Sequence, residues 1–174
     1  PIYNGYPLVP MNDSDILTAV DNNYQCRDKN GYGACYLYDM RVYNYGDSVS
    51  YISGYMEAEL NNITNLSYTV FEESNEKKEN CIEVRNKNFC ISQDISSIVQ
   101  GEQLTLGNEY NVKNTTSKEL LLAIWIKEIG ESQNEADIGS FNAAVTFELG
   151  NGGQIKGNIM SALVKDNTAK QSEE

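Results

Sequence analysis

A chain of 174 residues is long enough to close one domain around a sizeable core. Its 13 basic and 25 acidic residues give a formal charge of −12, which removes the clustered cations a nucleic-acid surface needs and disfavours anionic lipid. Histidine is absent, so Ser–His and Cys–His nucleophile pairs are excluded and the commonest metal ligand is missing.

No run approaches the ~18 apolar residues of a membrane helix, so membrane insertion is not expected. The chain begins at Pro1 without an initiator Met or an apolar leader, which reads as a processed protein or an excised domain. The missing apolar N-terminal helix argues against an intact type IV pilin.

Residues 1–24 read as an N-terminal arm. They hold Pro1, Pro7 and Pro10, all the prolines of the chain, so they cannot form a regular central strand throughout. Ile2, Tyr6, Leu8 and Val9 supply apolar anchors and mark the arm as a candidate donor strand at a subunit interface. Asp13-Ser14-Asp15 can cap a short helix through Val20.

Residues 25–165 read as the folded domain. Ala34–Tyr43 and Ser48–Leu60 are strands, expected to pair as a hairpin across the Asn44–Asp47 turn. Leu66–Phe71 is the next strand, and Cys81–Ile91 a short hairpin. A helical turn is expected within Ser92–Gly101, and two short strands, Glu102–Leu106 and Glu109–Val112, flank Gly107-Asn108.

The strongest signal lies between Glu119 and Leu163. Leu120–Ile126 is apolar on both faces and must be covered on both, by core or by a partner. From Phe141 to Leu149 every odd position is apolar, the period of a strand with one buried face. Gly150-Asn151-Gly152-Gly153 turns the chain into a closing strand, Gln154–Val164, and residues 166–174 form a polar tail. The whole reads as an all-β protein, an antiparallel β-sandwich of the jelly-roll or Ig-like kind with an extended N-terminal arm.

Cys26 and Cys35 stand nine positions apart, as do Cys81 and Cys90. Four cysteines allow three pairings. Local disulfides Cys26–Cys35 and Cys81–Cys90 are the simplest, because each pair brackets a turn-rich segment. A four-cysteine zinc site is the rival, but its ligand pairs usually sit two to four residues apart. Disulfides imply an extracellular or cell-surface setting. Sequons at Asn12, Asn62, Asn65 and Asn114 agree and mark candidate glycan loops.

No catalytic constellation emerges. The carboxylate pairs Asp13/Asp15, Glu57/Glu59 and Glu72/Glu73 suit solvated surfaces better than acid–base work. Glu128, Glu131, Glu135 and Asp137 share a loop but lack the spacing of an EF-hand, so neither a metal nor a cofactor is expected. Tyrosines crowd the first third of the chain, from Tyr3 to Tyr55. Their rings suit a sheet that stacks on sugars, a subunit contact or the rim of the core.

Met40-Arg41-Val42-Tyr43-Asn44-Tyr45-Gly46, the lead Glu109–Thr116 running to Ile124-Trp125-Ile126, and Ser140-Phe141-Asn142 together resemble secreted β-sandwich subunits of the TasA/camelysin type. The likeness spans about residues 34–160; the four cysteines and the proline-rich start depart from it. It implies a homopolymer, an extracellular fibre or pilus subunit assembled by donor-strand exchange. Strand addition at an open sheet edge gives that assembly its physics. The alternative is a monomeric adhesin or carbohydrate-binding module using exposed tyrosines, with surface glycans as partner.

Overall fold

A computed structural model describes residues 3–4, 8–44, 50–113, 115–130, 138–150 and 154–164. Among these residues ten strands form two five-stranded sheets. The first contains β1 (Tyr3–Asn4), β10 (Gln154–Val164), β9 (Ile138–Leu149), β3 (Ser50–Asn61) and β7 (Gln103–Val112), in that order. The second runs β2 (Tyr36–Tyr43), β8 (Ser117–Ile126), β4 (Leu66–Ser74), β6 (Lys87–Ser97) and β5 (Cys81–Val84). Every pairing is antiparallel except that of β1 with β10. The protein is therefore an all-β antiparallel sandwich.

The alternation of β9 sets the inner face of the first sheet. Phe141, Ala143, Val145 and Phe147 point inward, and across the strand pair they meet Leu60, Ala58, Met56 and Gly54 of β3. The second sheet answers with Leu120, Leu122, Ile124 and Ile126 from β8, and Leu8 is fully buried in the same core.

A second apolar cluster lies on the far side of the second sheet. Leu121, Ala123 and Trp125, the other face of β8, are fully buried there. Met11, Ile16, Ala19, Cys26 and Cys35 from the N-terminal stretch cover them, together with Phe71, Ile82 and Phe89. The doubly apolar strand thus has core on both sides, and both covers belong to its own chain.

The covering segment is pinned by specific bonds. The Met11 N–H donates to the Ile126 carbonyl, and the Glu128 N–H to the Met11 carbonyl. The Val9 N–H donates to the Gly33 carbonyl. The Trp125 Nε1–H donates to Asp13 Oδ1 at 3.0 Å, satisfying the indole of a fully buried ring.

Several elements differ from the sequence reading. β2 and β3 do not form a hairpin, because β2 pairs with β8 in one sheet and β3 with β7 and β9 in the other. Turn residues alone do not reveal a chain that crosses between layers. β6 runs on to Ser97 in place of a helical turn, and Gln103–Val112 is one strand broken by a bulge rather than two strands. Gly107 allows that bulge: the Tyr110 ring occupies the place a Cβ would take, and the Tyr110 hydroxyl donates to the Leu106 carbonyl at 2.7 Å. Burial pushes the Tyr110 phenol up to about 12. The expected helix is a 3-10 turn at Asp13–Asp15 followed by α1 (Ile16–Ala19), and the Asp13 carboxylate serves Trp125 rather than capping it.

Candidate functional site

The disulfides are Cys26–Cys35 and Cys81–Cys90. Cys26 and Cys35 are fully buried against the outer face of β8 and close a loop ordered by Asp28, whose Oδ1 accepts the N–H groups of Asn30 and Tyr32. Cys81 and Cys90 face each other across the β5–β6 hairpin. Its turn, Arg85-Asn86, has two consecutive left-handed residues (φ 50° and 64°), as a two-residue primed turn requires.

Three carboxylates of the paired sets sit in ion pairs: Asp13 also faces Lys127 at 3.6 Å, Glu72 pairs with Lys118, and Glu73 faces Lys87 at 3.8 Å. Glu57 and Glu59 are exposed on the outer face of β3. Among the described residues no group of three or more His, Cys, Asp or Glu is placed to hold a metal. Glu131, Glu135 and Asp137 lie outside them. Of the donor-strand candidates, Leu8 and Val9 are buried in this chain's own fold, while Ile2 and Tyr6 lie outside the described residues. Asn12, Asn62 and Asn65 are exposed, and Asn114 lies outside the described residues.

The tyrosines divide by environment. Tyr36, Tyr68 and Tyr110 are buried, and Tyr38 packs edge-on against Phe141 at 6.1 Å. Tyr24 lies beneath the Arg85 guanidinium, 4.8 Å from the ring centre. Tyr32 and Tyr43 are exposed at separate places, in the first disulfide loop and at the end of β2. Tyr51 and Tyr55 share one face, about 13 Å apart along β3. Two positions apart along a β-strand is one pleat period, and four is two, so both rings emerge on the outer face of β3.

That face is the candidate site. Tyr51 is 56% exposed, opposite Asn111 of β7. Tyr55 is half-buried between Thr105 of β7 and Thr146 of β9. Its hydroxyl donates to Glu148 Oε1 at 3.4 Å, and Gln154 Nε2 of β10 donates to the same oxygen at 3.3 Å. One carboxylate thus ties three neighbouring strands and holds the Tyr55 hydroxyl, about 13 Å along β3 from exposed Tyr51. The same face carries Glu57 of β3 and Lys156 of β10, which stands opposite Thr146. Such a surface can stack on the apolar face of a ring and hydrogen-bond its polar edge.

A concavity of about 450 Å³ lies beside the N-terminal cover, lined by Met11, Asn12, Asp15, Arg27, Asp28 and Glu128 among others. Its charges are of mixed sign. The sequence signal for the outer strip was the even register of β9, which puts Thr146 and Glu148 outward; the partners of that register on β3 and β10 follow only from strand order.

No protein-family model and no curated protein matches the sequence. Among solved structures, the chain is similar to a family 123 glycoside hydrolase from Clostridium perfringens, at 8% identity and a TM-score of 0.43. The match takes in 95% of this chain and 23% of the hydrolase, so the chain spans under a quarter of that protein's length. It is also similar to the collagen-binding subdomain of the Enterococcus faecalis surface protein ACE, at 14% identity and a TM-score of 0.27, over 78% of this chain and 90% of the subdomain. Likenesses of this degree carry no argument about function.

Proposed function

We propose that the chain is an extracellular, non-enzymatic binding domain of the surface-adhesin kind, and that its ligand is a carbohydrate held on the outer face of the first sheet. The observation that supports this most is the Tyr51–Tyr55 pair, one ring 56% exposed and the other fixed by Glu148. Rigid aromatic rings contribute contact area at low entropic cost. Two disulfides fit an oxidising, extracellular setting, and among the described residues no helix is long and apolar enough to cross a membrane. A glycan array tests the reading. Binding should weaken about tenfold per ring in Tyr51→Ala and Tyr55→Ala, the scale of ~1.4 kcal/mol for a lost stacking contact. Absence of binding to any glycan, or undiminished binding by the double variant, would overturn it.

The fibre-subunit reading draws on one observation. β1 adds to the edge of the first sheet in parallel with β10, Tyr3 opposite Ser161 and Asn4 opposite Ala162. A neighbour's arm joining that edge would use the same operation. Electron microscopy of the native material decides it: filaments favour assembly, and dispersed monomers favour the adhesin.

A further inference from the structure

We infer that Asn62 is a site of N-linked glycosylation that the folded domain presents to a transferase, and that neighbouring Asn65 is not. An Asn-X-Thr segment can be modified after folding only if the amide and the hydroxyl two residues on are both reachable. Asn62 and Thr64 are exposed, while Ile63 between them is 8% exposed and packs into the inter-sheet core. The turn sits tightly on β9: at Gly139 a side chain would collide with Ile63 and with the carbonyls of Asn61 and Asn62. The buried Ile63 holds its two neighbours outward.

The neighbouring sequon differs. Asn65 is exposed, but its hydroxyl partner Ser67 is 1% exposed inside β4, opposite Trp125. The Asn65 carbonyl also accepts the Lys127 N–H at 2.7 Å, which ties the residue to the end of β8. Reaching the Ser67 hydroxyl would require undoing part of the fold. Asn12 and Ser14 are both exposed, on a segment that enters a 3-10 turn; the contrast in reach lies between Asn62 and Asn65.

The chemistry is a group transfer. The Asn62 Nδ2 bonds to the anomeric carbon of a lipid-pyrophosphate-linked oligosaccharide. The bond from that carbon to the pyrophosphate oxygen breaks, lipid pyrophosphate leaves with the electron pair, and one amide proton is lost to base. The position also suits the proposed ligand face without depending on it. Tyr51 and Asn62 lie at opposite ends of β3, roughly 35 Å apart along an extended strand, so a glycan at one leaves the other open.

The test incubates the folded, oxidised chain with a single-subunit oligosaccharyltransferase and its lipid-linked donor, followed by peptide mapping. A short peptide spanning residues 59–67 serves as the control for transferase competence. Asn62 and Asn65 both have left-handed φ (59° and 60°), so the acceptor is best removed by Asn→Gly, which keeps that backbone without strain. Asn62→Gly and Thr64→Ala should abolish the modification, whereas Thr64→Ser and Asn65→Gly should retain it. Modification of Asn65 in preference to Asn62, or an unmodified folded chain beside a modified peptide, would overturn the inference.

Discussion

Glu119 is the buried carboxylate of this fold, its side chain 3% exposed at the start of β8. Arg41 stands 3.0 Å away, Lys87 3.3 Å and Arg85 3.7 Å, while Arg85 also reaches Asp39 at 3.0 Å. Burial works to raise the Glu119 carboxyl, but hydrogen bonds from Asp39, Arg41 and Lys87 prevail and hold it below its usual range. Asp39 goes the other way, raised by burial and by its bond to Glu119 against the lowering effect of Arg85. A depressed carboxylate stabilises the fold above its unfolded pKa, and that contribution is lost as pH falls through the folded value. Glu119→Gln should therefore cost roughly 1–3 kcal/mol at about pH 7, moderated because the three cations are partly exposed and can rehydrate. The gap to wild type should narrow as pH falls below the ordinary carboxylate range; urea midpoints at neutral and at acid pH measure it. Asp39→Asn should cost less at neutral pH, since a raised carboxyl is less favourably ionised in the folded chain than in the unfolded one. A single glutamate ahead of an apolar run gives no hint in the sequence that three cations from β2 and the β5–β6 hairpin will converge on it.

At the scale of the element, β8 and the disulfide hairpin carry the predictions. Trp125 is fully buried with its indole bonded to Asp13, so Trp125→Phe removes both ring area and a satisfied donor and leaves Asp13 to Lys127. A loss of about 1–3 kcal/mol is expected in chemical denaturation. The Cys81–Cys90 crosslink closes a short loop between directly opposed residues. Replacing both cysteines with serine should lower stability by about 2–3 kcal/mol, with most of the effect in the unfolded chain. A thermal melt of the double variant checks it, and the rest of the domain should keep its strand signal by circular dichroism. The apolar period of β9 and the doubly apolar run of β8 were readable from sequence. The single strand β7 was not, because a glycine-hosted bulge looks like a turn until Tyr110 is seen filling it.

At the scale of the molecule, the fold has three layers: two sheets and the cover formed by residues 8–35 over the second sheet. Sequence reasoning treats residues 1–24 as an arm set apart from a folded domain of residues 25–165. The burial of Leu8, Met11 and Ile16 leads to a different expectation. A chain lacking residues 1–20 bares part of the Leu121–Trp125 face, an apolar patch that promotes association. It should bind a hydrophobic dye and aggregate, whereas a chain lacking only residues 1–4 should not. Analytical ultracentrifugation of the two truncations separates these outcomes.

Composition and periodicity by themselves determined that this chain is all-β and that it lacks histidine chemistry, because those follow from residue types and from the two-residue repeat of a strand. The pairing of close cysteines and the need to cover both faces of β8 were also written in the order of residues. Only the tertiary structure decided what covers β8, which strands share a sheet and which tyrosines are buried. These depend on how the chain crosses between layers, and local sequence does not encode contacts between residues as distant as Asp13 and Trp125, or Tyr55 and Glu148.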